Sequence, residues 1–242
     1  MKKSRMFVML LAPALLLAAG CLTTNFVYPN DAAGLFKADA GKTLPDKVAV
    51  LPFEDVRQPG NTFSTAYLSL IPLYPYGYVS YHRPDAASGF LTVLNYNFKP
   101  AEELAKAAAL SMRRSGLFQN VYFTYGGELA QANFVLQGRV TSTFYEGTAY
   151  SYGLSCAGSY LALVGAPYGS SLNRLGLSLT LKNRFGVTVW EYSAEREARI
   201  LQWIYTDVGA DLRQYPALMQ QIMNDAMRDL AAKIKTSPQQ FK

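Results

Sequence analysis

Leu175, Leu177, Leu179 and Leu181 alternate with Ser178, Thr180 and Lys182, and this run constrains the fold more than any other feature of the sequence. Alternation with period two places the four leucines on one face of a half-buried β-strand. Residues 183–186 carry turn-forming side chains, and Val187-Thr188-Val189-Trp190-Glu191-Tyr192 returns the chain, so the two runs read as a β-hairpin. Phe134, Leu136, Val140 and Phe144 alternate with Gln137, Arg139, Thr141 and Thr143, which predicts a long strand with its even positions inward. Residues 47–53 (KVAVLPF) form a short β-branched run, with Glu54 and Asp55 at its carboxyl end, and residues 121–124 read as a further strand.

Two helices accompany these strands. Pro100 suits a first helical position, Glu102 and Glu103 complement the positive end of the dipole, and Gly116 stops the helix. Leu104, Ala108 and Met112 share its buried face. From about residue 216 to 235, Leu218, Met219, Ile222, Met223, Ala226, Leu230 and Ile234 form an apolar stripe opposite Gln220, Asn224, Arg228 and Lys235. The expected fold is α+β: a mixed sheet of about five strands, including one hairpin, packed by two main helices and carrying two aromatic-rich insertions. The expected organisation is a cleaved segment over 1–20, a tether over 21–45 and a single domain over 46–236. The insertions fall near 57–99 and 146–172, and 237–242 forms a tail.

The amino terminus says where such a chain would live. Lys2, Lys3 and Arg5 precede an uncharged apolar run, which ends in small residues: Ala18-Ala19-Gly20-Cys21. A basic start, an apolar stretch of this length and a small-residue site make a secretory signal peptide, and the run is too short for a comfortable membrane span. Leu17-Ala18-Ala19-Gly20-Cys21 resembles a bacterial lipobox. That resemblance implies cleavage after Gly20 and acylation of Cys21, palmitate included. Leu22, standing where aspartate is associated with inner-membrane retention, makes the outer membrane the expected destination, with the domain facing the periplasm.

Removing this segment alters two apparent clues. Lys2, Lys3 and Arg5 supply half of the formal net charge of +6, so the mature chain lacks the strongly basic character of a nucleic-acid binder. Of 2 cysteines, one is Cys21, leaving Cys156 with no partner for an internal disulfide. The fold must therefore stand on packing, and a chain of 242 residues that is 50% hydrophobic is long enough to do so.

Catalytic and metal chemistry find little support in residue types and spacing. His82 is the sole histidine, and one His with one Cys falls short of a zinc ligand set. His82 and Cys156 are the only candidates for a thiol–imidazole pair, and such partners meet in space rather than in sequence. Gly153-Leu154-Ser155-Cys156-Ala157 narrowly misses the nucleophile elbow and lacks its strand–turn–helix setting. The carboxylate pairs Glu54-Asp55 and Glu102-Glu103 are adjacent in sequence, so they point apart on a strand or a helix. The expectation is no enzyme, no metal and no cofactor other than lipid on Cys21.

The two insertions are the functional candidates. Tyr67, Tyr74, Tyr76, Tyr78 and Tyr81 crowd the first, while Tyr145, Tyr150, Tyr152, Tyr160 and Tyr168 crowd the second. Tyrosine clusters suit protein interfaces and the membrane–water boundary, where a ring is buried while its hydroxyl stays wet. The expected interaction surface comprises Tyr67, Tyr74, Tyr76, Tyr78, Tyr150, Tyr152 and Tyr168. The alternative is that the insertions pack on each other and extend the core.

Val48-Ala49-Val50-Leu51-Pro52-Phe53-Glu54-Asp55 resembles the opening strand of a family of envelope proteins that includes the TolB amino-terminal domain, activator lipoproteins of penicillin-binding proteins and the curli-secretion lipoprotein. The match extends through Ser115-Gly116-Leu117-Phe118, the strand at 121–124 and Ala132-Asn133-Phe134-Val135-Leu136-Gln137-Gly138. The resemblance implies an envelope scaffold or accessory factor that binds a protein partner while its lipid holds it to the membrane. An oligomeric secretion pore and a carrier of a lipid or other apolar ligand are the alternatives.

Overall fold

The computed structural model describes residues 24–38, 43–59, 62–86, 96–206 and 214–241. Cys21 and the segment before it lie outside the described residues. In chain order the elements are β1 (Thr24–Asn25), β2 (Leu44–Val50), β3 (Glu54–Asp55), β4 (Thr62–Ser64), β5 (Tyr76–Tyr81), β6 (Tyr96–Asn97), α1 (Pro100–Ser115), β7 (Phe118–Phe123), β8 (Phe134–Ser142), β9 (Tyr145–Tyr150), α2 (Ser159–Leu163), β10 (Gly169–Asn183), β11 (Thr188–Gln202) and α3 (Gln214–Thr236). The chain is α+β, with a mixed sheet and three helices. The expected count of about five strands was too low: nine strands join in one sheet, and β1 pairs with β6 in a second. The missing strands lie mainly in the insertions, where prolines and short runs hide the alternation.

The hairpin of β10 and β11 is the backbone of the sheet, each strand running 15 residues. Asn183 sets the turn by accepting hydrogen bonds from the amides of Phe185 and Val187, each at 3.0 Å. On the other edge of β10, β8 pairs with the second half and β9 with the first. β2 and β7 then extend the sheet beyond β8 in parallel, while β5 and β4 extend it beyond β9. α1 and α3 cover one face of the β8 half. Leu136, Val140, Leu175, Leu177, Leu179 and Leu181 meet Leu104, Met112, Leu218, Ile222 and Leu230 there, and all are buried.

The inward phase of the even residues ends before Phe144. Leu177 pairs with Val140 but Gly176 pairs with Ser142, so β8 carries one extra residue, Thr141. A side chain at 176 would place its Cβ 2.5 Å from Thr141 Oγ1 and 3.2 Å from Ser142 Cβ, so glycine spares the bulge a rearrangement of the Thr141 side chain. Beyond it Thr143 and Tyr145 point inward, and Phe144 turns to the open face. The Tyr215 hydroxyl closes the bulge from α3, donating to Thr143 O at 2.9 Å and Phe144 O at 3.1 Å.

Residues 24–38, expected as a tether, lie along the helical layer. Phe26 stacks on Phe98 with centroids 5.0 Å apart, and Leu35 is buried. The polar face of α3 does this docking. Gln220 accepts from Asp31 N and donates to Asp31 O; Asn224 accepts from Phe36 N and donates to Gly34 O. At the other terminus, expected as a tail, Phe241 is buried against Phe134.

Candidate functional site: an uncharged aromatic end

Register brings the two insertions together. β5 pairs with β9, setting Tyr76 opposite Tyr150, Tyr78 opposite Thr148 and Tyr81 opposite Tyr145. Tyr81 and Tyr145 face the core, while Tyr76, Tyr78 and Tyr150 face the side the helices leave open. Phe63 of β4 lies against Tyr78 at 5.7 Å, and Tyr150 meets Tyr152 edge-on at 6.0 Å. The Tyr150 hydroxyl bonds Ser170 Oγ at 2.9 Å, and Tyr168 carries the β9 register onward by accepting from Tyr150 N. Tyr67 stands on a 3-10 turn over Ala66–Leu70 that packs beside β5, and Tyr74 lies in the loop that follows. The seven tyrosines singled out from the sequence therefore gather at one end. Tyr78, Tyr150 and Tyr168 are half-buried there, whereas Tyr67, Tyr74, Tyr76 and Tyr152 are exposed.

The end is stitched across the insertions by backbone. Leu73 N donates to Gly153 O at 2.8 Å, and the amides of Ser151 and Tyr152 both donate to Pro75 O at 2.9 Å. Ser151 Oγ donates to Tyr74 O, Ser155 Oγ to Leu70 O, and the Tyr152 hydroxyl to Pro167 O. Tyr205, following β11, donates its hydroxyl to Leu163 O at the end of α2. Pro72 and Pro75 sit in the 71–75 loop, where no ladder needs their missing amides.

The candidate catalytic residues are kept apart. Cys156 is exposed in the 3-10 turn over Ser155–Gly158 at this end. His82 follows the far end of β5, its ring 5.5 Å from that of Phe144. The length of β5 separates them, roughly 20 Å at 3.3 Å per residue. The adjacent carboxylates also part company. Glu54 pairs with Arg139, Asp55 with Arg57 and Glu102 with Lys106, while Glu103 accepts from Lys99 N. Among the described residues no cluster of His, Cys, Asp and Glu is arranged to hold a metal ion.

Sequence reasoning missed Arg57, whose side chain is almost fully buried where the two halves of the sheet join. Its Nε and Nη2 donate to the Asp55 carboxylate, each at 2.8 Å, and Nη1 and Nη2 reach Asp85. Nη1 also donates to Thr143 Oγ1, which in turn donates to His82 O. The hydrogen bonds from Arg57 hold the Asp55 carboxyl below the usual carboxylate range. The only advance signal was an arginine two residues beyond a strand end.

Behind the aromatic end, on the covered face, Asn173 is fully buried with neither amide atom paired among the described residues. Ser171 Oγ, Tyr96 OH and Gln202 Oε1 share that condition. A buried amide without partners destabilises the fold, so Asn173→Leu is expected to raise stability by about 1–2 kcal/mol. Urea unfolding monitored by tryptophan fluorescence reads the change; a fall in stability would mean that the amide is satisfied in solution.

No family model and no curated protein matches the sequence. Among solved structures, the chain is similar to a Xanthomonas campestris protein of the DUF330 family, at 10% identity and TM-score 0.41 over 90% of this chain and 98% of that one. An uncharacterized protein gives 10% identity and TM-score 0.33 over 79% and 94% of the two chains. A minor lipoprotein from Acinetobacter baumannii gives 11% identity and TM-score 0.25 over 81% and 95%. Likenesses this distant assign no activity.

Proposed function

We propose that this chain is a non-catalytic lipoprotein of the bacterial cell envelope, anchored through acylated Cys21, whose α+β domain acts as an accessory binding module for an envelope protein. The observation that carries the protein-binding part is the long outer edge of β11 in the sheet. β11 pairs with β10 along one side and, among the described residues, with nothing along the other. An unpaired row of this length is a ready template for strand addition, one of the recurring modes of peptide recognition. Its open face carries Glu191, Glu195, Glu197 and Arg199, with Arg174 of β10 bridging Glu195 and Glu197 at 3.4 Å and 3.1 Å. Such a charge pattern discourages indiscriminate edge pairing and favours one complementary strand. Beside it, the open face holds a depression of about 510 Å³ walled by Glu54, Gln137, Arg139, Thr180, Lys182 and Glu191. The lipid supports the same reading, because a membrane-held domain gains effective concentration for partners in its own envelope.

A photo-crosslinking residue at Glu195 tests the edge in living cells. The expected product is an adduct with an envelope protein of discrete mass, lost when the sheet edge is blocked by Ser193→Pro. An adduct of twice the chain's own mass would instead assign the edge to self-association, and no protein adduct would overturn the binding role. Palmitate incorporation, abolished by Cys21→Ser, tests the anchor separately.

A further inference from the structure

We propose that the uncharged aromatic end inserts into the interfacial layer of a lipid bilayer, giving the molecule a second, non-covalent membrane contact. Three segments build this end, and none contains Asp, Glu, Lys, Arg or His: the chain between Arg57 and His82, between Glu146 and Arg174, and between Arg199 and Asp207. Their apolar side chains point outward. Leu73 is 90% exposed, Val164 81%, Tyr160 68% and Leu70 61%, with Leu163, Leu154 and Tyr205 also exposed. Scattered surface leucines are ordinary, but a contiguous apolar surface without charge marks an interaction site.

Three observations favour lipid over protein as the occupant. A protein interface normally rims its apolar centre with polar and charged groups and is enriched in arginine, whereas this end has no side chain that is charged at neutral pH. The loops also satisfy one another's backbone: Leu73 N, Ser151 N, Tyr152 N and Ala166 N all donate to carbonyls within the end. Hydrocarbon offers no replacement for water, so a segment entering it must bring its hydrogen bonds with it. Tyrosines on such a surface match the headgroup level, where the ring is apolar and the hydroxyl wet.

Backbone strain is concentrated in the same place. Among the described residues, the non-glycine residues with positive φ are Leu73 at 72°, Tyr152 at 55° and Ser155 at 55°, all in this end. A left-handed conformation is costly for leucine and cheap for glycine or asparagine, and such strain collects at functional sites. At position 73 it directs a large apolar side chain straight into solvent.

The proposed insertion rests on the aromatic end itself and on neither the position nor the acylation of the proposed anchor. Thr24 pairs with Tyr96, near the level at which β8 gives way to β9, and the chain from Thr24 to Ala38 runs away from the aromatic end. Cys21 precedes Thr24 by three residues, a reach of about 10 Å at most. The described chain therefore begins between the two ends of the sheet, the opposite one being where Phe241 packs on Phe134. Peripheral insertion of this kind reaches about 5–10 Å below the headgroups.

The test uses the mature chain, residues 21–242, carrying Cys21→Ser, in which exposed Cys156 is the only thiol and lies within the aromatic end. An environment-sensitive fluorophore on Cys156 is mixed with vesicles of phosphatidylethanolamine and phosphatidylcholine. The expected result is a shift of emission to shorter wavelength and quenching by nitroxide-labelled lipid. The same fluorophore at the opposite end, on a Cys156→Ser, Gln239→Cys protein, should report water. Leu73→Asp with Val164→Glu should lower vesicle binding by about ten-fold, while far-UV circular dichroism stays unchanged because both side chains point outward. Binding should be insensitive to salt, since the end presents no cation. A Cys156 label that still reports water with vesicles present, an unaffected double variant or a steep salt dependence would each overturn the proposal. A label that shifts with envelope proteins and not with vesicles would reassign the end to a protein partner. Because no assayed protein carries a lipid, failure of Cys21 acylation leaves these outcomes unchanged.

Discussion

Arg57→Met is expected to lower the stability of the protein by about 3–5 kcal/mol, the usual cost of removing one partner from a buried charge cluster. Arg57 is 5% exposed and bonds two carboxylates and a threonine hydroxyl, so its loss leaves Asp85 beside an apolar side chain, while the more exposed Asp55 keeps Arg83 at 3.7 Å. It also removes a bracket. Asp55 ends β3, Asp85 lies in the turn after β5, and Thr143 lies just past the bulge in β8, so one side chain joins three parts of the chain. For a chain of this size the loss corresponds to a fall in melting temperature of about 10 °C. Asp85→Asn added to Arg57→Met should recover part of it, because part of the penalty lies in the half-buried Asp85 carboxylate left without its arginine. The dependence on pH has a definite sign. Arg57 depresses the folded-state pKa of Asp55, so the contribution is present above the unfolded value, about 3.9, and is lost as pH falls through the lower folded one. Urea unfolding at neutral pH should show the full gap between parent and variant, and the gap should narrow below about pH 4. A gap that is constant with pH would remove the Asp55 charge from the explanation.

The parts of this fold legible in the sequence are those where burial enforces a period. The leucines of β10, the stripe of α3 and the proline-to-glycine span of α1 stand where alternation and capping put them, because each faces a core on one side. β5 and β9 were hidden for a physical reason. Most of their open-face residues, Tyr76, Tyr78, Thr148 and Tyr150, are amphipathic, with only Ser80 and Glu146 plainly polar, so the contrast that makes period two visible is weak. The one-residue slip at Thr141 was equally invisible, since its warrant is a close contact with Gly176 on another strand. That slip decides which way Phe144 and everything after it points. The tyrosines were legible as a set, but their gathering depends on the β5–β9 pairing. Arg57 gave no sign of its role, because its three partners come from sequence separations of 2, 28 and 86.

Gly158→Ala is expected to cost about 3 kcal/mol and to loosen the aromatic end. Nothing in the backbone of Gly158 demands glycine: φ of −62° and ψ of −27° suit any residue. The demand comes from a neighbour. A Cβ at 158 would lie 2.0 Å from Ser151 O and 2.5 Å from Ser151 C, and no rotamer relieves a contact with backbone. Ser151 is not free to retreat, because its amide donates to Pro75 O and its hydroxyl to Tyr74 O. The added methyl group therefore pushes the second insertion off the first, releasing the contacts that hold Leu73 and Gly153 together. Gly165→Ala provides the contrast. Gly165 sits at φ 97° with open space around its Cα, so alanine there costs only local strain, about 1–2 kcal/mol. Urea unfolding compares the two substitutions, and limited proteolysis should cut residues 151–158 faster in Gly158→Ala alone. Vesicle binding should fall with Gly158→Ala although the change adds apolar surface, because insertion depends on loops held with their backbone satisfied rather than on hydrophobicity as such. Equal stability and equal vesicle binding of the two alanine variants would reject that requirement.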